Sequence, residues 1–270
     1  MGWELQRSLA GLGDVVATNR REFDLCDSNA MRRTVRKTSP DMIVNAAAYT
    51  AVDNAESEPD VAMQVNAIAP GILAEEAKLL GALLVHYSTD YVFDGSKQAP
   101  YTEEDRPNPL SVYGRTKLDG EQAIAASKCR HLIFRTSWVY APRGRNFLLA
   151  ILKAAREKPQ LRVVDDQFGA PTSSVAIAEG TARALRAGGP EGLYHMSAGG
   201  RTTWFNFAQA ILHKVAIDTP VVPIRSDQYP AKAKRPRNSV LDNARLKQAF
   251  GVSLPGWESQ LEQVMGQVLR

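Results

Sequence analysis

Short runs rich in apolar and β-branched residues alternate along this chain with longer segments of helical pattern. That alternation restricts the fold to an α/β arrangement, a doubly wound and mostly parallel sheet with helices on both faces. Val15 to Asn19 reads as a short strand, followed by a helix from about Ser28 to Lys37. Asp41 to Ala48 reads as a second strand and Leu83 to Val92 as a third. Between those two, a long helix is expected from near Pro59 to Leu80, bent or interrupted by Pro70, which lacks the N–H a helix interior needs. A helix running to about Ala126 and a strand from His131 to Tyr140 come next. Beyond Tyr140 the elements shorten. Helices are expected near Phe147–Glu157, Val175–Arg186, Trp204–Val215, Asn243–Phe250 and Trp257–Leu269, with strands near Leu161–Val164, Gly192–Met196 and Val221–Ile224.

The densest chemistry lies in two neighbouring stretches, Ser88-Thr89-Asp90-Tyr91-Val92-Phe93-Asp94-Gly95 and Tyr113-Gly114-Arg115-Thr116-Lys117. The first ends the apolar run Leu83 to Tyr87, so Thr89 sits where a buried strand opens onto a cleft. In the second, Tyr113 and Lys117 are four residues apart, about one helical turn, which puts phenol and ammonium on one face. A nearby cation stabilises a phenolate and lowers the tyrosine pKa from about 10 towards a working pH. A hydroxyl from Thr89 can then hold a carbonyl oxygen between itself and Tyr113.

These stretches resemble the extended short-chain dehydrogenase/reductases, and within them the dTDP-4-dehydrorhamnose reductases. Further matching landmarks run in order along the chain: Asn45 to Glu56, Arg135 to Tyr140, Asp166 to Thr172 and Arg235 to Ser239. A bare Tyr-x-x-x-Lys arises often by chance; six motifs in order do not. The resemblance implies a Rossmann-type doubly wound parallel sheet with a smaller C-terminal substrate lobe. Residues 1–145 would form the dinucleotide-binding domain and 146–270 the substrate lobe, part of which returns to complete the sheet. The implied activity is reduction of the 4-keto group of dTDP-4-dehydro-L-rhamnose by NAD(P)H. Tyr113 would give the proton, Thr89 would hold the oxygen, and Lys117 would hold the nicotinamide ribose and depress the tyrosine pKa.

The chain departs from that family at its beginning. Such reductases open with a strand and a glycine-rich turn whose N–H groups hold the cofactor pyrophosphate. Here Met1-Gly2-Trp3-Glu4-Leu5 reads as the last glycine of the turn followed directly by the first helix, with roughly ten residues of strand and turn absent. Gly2 is therefore the one turn residue expected at the cofactor. The 270 residues are expected to fold marginally and bind cofactor poorly until an upstream strand and turn are restored.

Other cofactor contacts follow by resemblance. Ala46 and Ala47 would let the backbone approach the dinucleotide, although tight strand–helix packing wants alanines equally. Tyr49 could pack on nicotinamide or substrate, and Asp24 and Leu25 match a pair that contacts adenine. The position where NAD-preferring folds carry an acid holds Thr18-Asn19-Arg20-Arg21 instead, and an arginine can pair with a 2′-phosphate. NADPH is thus expected over NADH, with Arg20 as its partner. On the substrate side Asp90 and Tyr91 are expected in the sugar pocket and Trp138 against the sugar face. Arg235 is expected in a mobile basic loop facing the diphosphate, with weaker roles for Asn146, Phe147, Gln167 and Thr172.

Several classes are excluded or disfavoured. A net charge of +4 gives no case for nucleic acid. No apolar run nears the roughly 20 residues of a membrane span, and the two cysteines fit a reducing cytoplasm. The four histidines make no metal-ligand pattern, and no Ser-His-Asp arrangement is present. Some relatives hold Mg²⁺ through carboxylates at a homodimer contact, where Glu4 could correspond to one ligand. Two rivals stand beside the reductase: a reductase or epimerase of another nucleotide-sugar, and a non-catalytic partner like the methionine adenosyltransferase β subunit.

Overall fold

The computed structural model describes residues 1–269. Helices α1 (Gly2–Leu9) and α2 (Ser28–Thr38) precede strand β1 (Met42–Asn45) and three helices, α3 (Val52–Ala55), α4 (Pro59–Met63) and α5 (Ala69–Leu80). Strand β2 (Leu83–Thr89), helix α6 (Val112–Ser127), strand β3 (His131–Thr136) and the two-residue β4 (Val139–Tyr140) follow. Then come α7 (Phe147–Glu157), β5 (Leu161–Val164), β6 (Phe168–Gly169), β7 (Thr172–Ser173), α8 (Ser174–Ala187) and β8 (Gly192–His195). The chain closes with β9 (Thr202–Thr203), α9 (Trp204–His213), β10 (Val221–Ile224), α10 (Ala244–Phe250) and α11 (Trp257–Val268).

The main sheet has the order β1-β2-β3-β8 with every pair parallel. Parallel pairing requires crossovers, and helices supply them. Side chains alternate along β2 and β3, so the two faces bury different partners. Val85, Tyr87 and Phe134 pack against Leu5, Ile177 and Leu246 from α1, α8 and α10. Leu84 and Ile133 pack on the opposite face against Leu73, Ala77 and Ile124 from α5 and α6. This is the doubly wound sheet that the alternating pattern predicts. A separate core of the C-terminal half gathers Leu148, Ile151, Phe207 and Leu261, while α8 and β8 return to the first sheet.

Four expectations need correction. Val15 to Asn19 forms no strand: the segment has no backbone ladder, and Val16 is 70% exposed. A strand exists through its neighbours' hydrogen bonds, and β1 lies at the sheet edge with β2 as its partner there. The strand expected to run through Ala48 stops at Asn45, and that expected through Val92 stops at Thr89. Thr89 accepts a hydrogen bond from the Tyr91 amide, which turns the chain into a short 3₁₀ turn over Asp90–Val92. The strand expected through Tyr140 breaks after Thr136, because Trp138 adopts φ 48°.

The long helix is interrupted, as Pro70 requires, but one turn earlier than the proline itself. A π-helical turn, Gln64–Ile68, separates α4 from α5. Pro70 has no N–H for the Asn66 carbonyl, so the hydrogen-bond ladder slips at that point. The Asn66 carbonyl lies against α6 at Gly120, where a Cβ would come within 2.1 Å of it. Glycine at that one position is what allows α6 its close approach.

Candidate active site

The site is built at the carboxyl end of β2, where α6 crosses it. Ser111 caps α6 by accepting a hydrogen bond from the Gly114 amide at 3.2 Å, which fixes where the first turn begins. Tyr113 and Lys117 then fall on successive turns of the helix. A Cβ on Gly114 would lie 2.2 Å from the Tyr91 carbonyl, so glycine lets this turn sit directly on the loop after β2. The Tyr91 and Tyr113 rings meet edge to face at 5.8 Å.

Thr89 and Asp90 lie buried beside Tyr113. The Thr89 hydroxyl donates to Asp90 Oδ1 at 3.0 Å, and Ser137 Oγ donates to Asp90 Oδ2 at 3.1 Å. Burial raises the Asp90 carboxyl to about 6, against the pull of hydrogen bonds from Ser239, Thr89 and Ser137. Burial likewise pushes the Tyr113 phenol up to about 12, with Thr89 opposing it. Lys117 does not offset this rise. The reason is where the amine goes: Lys117 Nζ donates to the Tyr87 carbonyl at 2.6 Å and lies 3.1 Å from His86 Nε2. Burial lowers the Lys117 amine to about 8, partly opposed by Glu121.

Of the expected cofactor residues, Ala46 and Ala47 follow β1, with Ala47 exposed. Methyl groups and backbone, with no bulky side chain, thus form this edge of the cleft, which fits close approach of a dinucleotide. Gly2 is exposed at the start of α1, and Arg20 is exposed in the turn before α2. Asp24 accepts a hydrogen bond from the Cys26 amide at 3.0 Å. The Leu25 side chain packs in a core with Met31, Ala69 and Ile72. Tyr49 donates to Glu58 at 2.5 Å, and its amide donates to the Asn66 side chain.

Two residues expected at the substrate have close partners within the fold. Trp138 is only 9% exposed and stacks on Trp204 with ring centroids 3.6 Å apart. Gly169 lies so close that a Cβ would sit 2.3 Å from the indole. Trp204 covers one face of the indole. Arg235 does not stand in a free basic loop. It pairs with Asp53 at 2.7 Å and 3.2 Å, and the Ala233 amide donates to the same carboxylate, so this segment is strapped to α3. The four weaker candidates have partners within the fold: Asn146 caps α7, Phe147 packs on Trp204 and Phe207, Gln167 bonds Ser226, and Thr172 accepts from the Ala198 amide. Glu4 is buried and paired with Arg143, whose guanidinium lies 3.4 Å from the Trp3 ring centroid. No cluster of three metal-ligating side chains occurs among the described residues.

Sequence reasoning missed His86 and the buried pair of Glu121 with Arg135. An ionisable residue inside an apolar strand run was the available signal for His86. Nothing local could have paired Glu121 with Arg135, which sit on different elements.

The RmlD substrate binding domain family matches residues 1–270. A dTDP-4-dehydrorhamnose reductase of Burkholderia thailandensis is 48% identical over 274 residues, spanning 95% of this chain and 92% of the relative. That of Escherichia coli K12 is 43% identical over 282 residues, spanning 99% and 94%. The crystal structure of a dTDP-4-dehydrorhamnose reductase from Bacillus anthracis in complex with NADP superposes with a TM-score of 0.94 at 32% identity, covering 98% of this chain and 95% of that one. An ortholog from Clostridium acetobutylicum gives 0.96 at 36% identity, covering 100% and 96%. The chain therefore belongs to the RmlD substrate binding domain family.

Proposed function

We propose that this protein reduces the 4-keto group of dTDP-4-dehydro-L-rhamnose to give dTDP-L-rhamnose. The observation that carries the reading is the meeting of Thr89, Tyr113 and Lys117 at the carboxyl end of β2, in a chain whose relatives bear that enzyme name. Open α/β sheets bind ligands outside the carboxyl ends of their strands. NAD(P)H, when bound, supplies the hydride. Tyr113, protonated at neutral pH because burial holds its phenol near 12, gives its proton to the sugar oxygen. Thr89 donates to that same oxygen and stabilises the charge growing on it. Lys117, one turn along α6, holds the nicotinamide ribose and offers its charge to the phenolate left behind. Asp90 and Tyr91 line the sugar pocket.

Ala46, Ala47 and Tyr49 border the nicotinamide half of the cofactor, with Gly2, Asp24 and Arg20 towards its adenosine half. The exposed guanidinium of Arg20 favours a 2′-phosphate, hence NADPH. Residues 1–145 act as the dinucleotide-binding domain and 146–270 as the substrate lobe. No helix among the described residues is long and apolar enough to cross a membrane, and both cysteines are free. A cytoplasmic setting and a homodimer suit this chemistry. The intact trio speaks against the non-catalytic partner.

The test is oxidation of NAD(P)H with dTDP-4-dehydrorhamnose. Tyr113→Phe, whose ring still fills the same space, is expected to lose turnover by about 10²–10⁴-fold with unchanged circular dichroism. A Tyr113→Phe variant of near-normal rate would overturn the assignment.

A further inference from the structure

Behind the site a chain of three polar side chains runs through the apolar interior. Asn45 and His86 are register partners across β1 and β2, and Asn45 Nδ2 lies 3.1 Å from His86 Nδ1. His86 Nε2 lies 3.1 Å from Lys117 Nζ. Asn45, His86 and Lys117 are 6%, 0% and 2% exposed, so solvent satisfies none of them. Asparagine orientation decides the direction of such a chain. Here the Ala47 amide donates to Asn45 Oδ1 at 3.2 Å, which leaves the NH₂ group facing His86. His86 Nδ1 must then accept. A neutral imidazole with an accepting Nδ1 carries its proton on Nε2, and that N–H points at the lysine amine. Two facing donors repel, whereas an uncharged amine can accept from Nε2–H while donating to the Tyr87 carbonyl at 2.6 Å.

We propose that His86 is a positioning residue for Lys117: a neutral Nε2–H imidazole, oriented by Asn45, anchors the lysine amine and disfavours its charged form. The charges around the pair are few. From α6, Glu121 favours the ammonium, but its carboxylate is engaged by both Nε and Nη2 of Arg135 from β3. From β1 the only facing polar group is Asn45. On α5, Glu76 is taken up by Arg32 and Arg36 of α2. Burial acts in the same direction on both members, lowering His86 well below its ordinary value and Lys117 to about 8. Lys117 thus still carries its proton at neutral pH but gives it up well below an ordinary lysine. Cross-strand geometry thus reaches the reacting tyrosine through one lysine.

The test has two arms, of which only the second rests on the reductase reading. Nitrogen-15 NMR of the wild-type chain distinguishes histidine tautomers, and with four histidines a His86→Gln spectrum assigns the signal by its loss. The expected result is an Nε2–H pattern that stays constant from about pH 5.5 to 9, where an ordinary histidine titrates. An Nδ1–H tautomer, or titration in that range, overturns the proposal whether or not the protein is a reductase. In the second arm, His86→Gln replaces the facing donor with an amide that can turn its oxygen to the amine and so favours the ammonium. The alkaline limb of kcat/KM is expected to move up by about one pH unit. A lowered rate with an unmoved limb would mean that His86 only packs, and would overturn the positioning role.

Discussion

Replacing Glu121 with glutamine should destabilise this protein far more than removing a surface carboxylate. Glu121 on α6 receives two hydrogen bonds from Arg135 on β3, at 2.9 and 2.6 Å, and the side chains are 7% and 3% exposed. The guanidinium sits 5.1 Å from the Phe93 ring centroid, and its Nη1 has no protein partner. With the carboxylate gone, the arginine charge is left in an apolar setting with a single amide oxygen. Breaking a buried pair from one side costs about 3–5 kcal/mol. For 270 residues at about 2.1 cal/mol/K each, the unfolding entropy near the midpoint is about 0.57 kcal/mol/K, so Tm should fall by about 5–9 °C. The comparison is Glu191→Gln, which breaks the exposed pair with Arg130 at 2.8 Å and should move Tm by less than about 2 °C. Thermal circular dichroism at pH 7 without ligand measures both. Equal small shifts would refute the argument that burial, not pairing as such, sets the cost. Joint replacement, Glu121→Leu with Arg135→Met, removes both charges and should recover most of the loss.

Two further outcomes are expected. Gly120→Ala would put a methyl group 2.1 Å from the Asn66 carbonyl, a backbone atom that cannot turn aside, so α6 must shift; a loss of about 1–3 kcal/mol in urea denaturation is expected, and an unchanged midpoint would contradict the close approach. Asp90→Asn should stabilise the protein at neutral pH: the folded carboxyl titrates near 6 against its ordinary 3.8, so the folded state binds this proton more tightly. Stability from this group is therefore full below about pH 4 and lost as pH rises through 6, a penalty of roughly 3 kcal/mol at pH 7.5. The gain in Tm on substitution should vanish at pH 4, and a gain independent of pH would point to packing instead.

The amino-acid sequence alone was enough for the doubly wound α/β class and for the placement of Thr89, Tyr113 and Lys117, because periodicity and a four-residue spacing are local properties of a chain. It also signalled an interruption at Pro70, because proline lacks the N–H, although the break itself falls at Gln64–Ile68. The tertiary structure decided what depends on neighbours. Val15 to Asn19 has strand composition but no ladder, and a strand is defined by its partner. Trp204, 66 positions later, covers one face of Trp138, which no local pattern signalled. Arg235 looked free until Asp53 was found against it. The direction of the Lys117 amine is the clearest case: helical spacing turns it towards Tyr113, yet His86 and the Tyr87 carbonyl hold it. Spacing sets which face a side chain leaves from; burial and the nearest unpaired acceptor set where its charge ends.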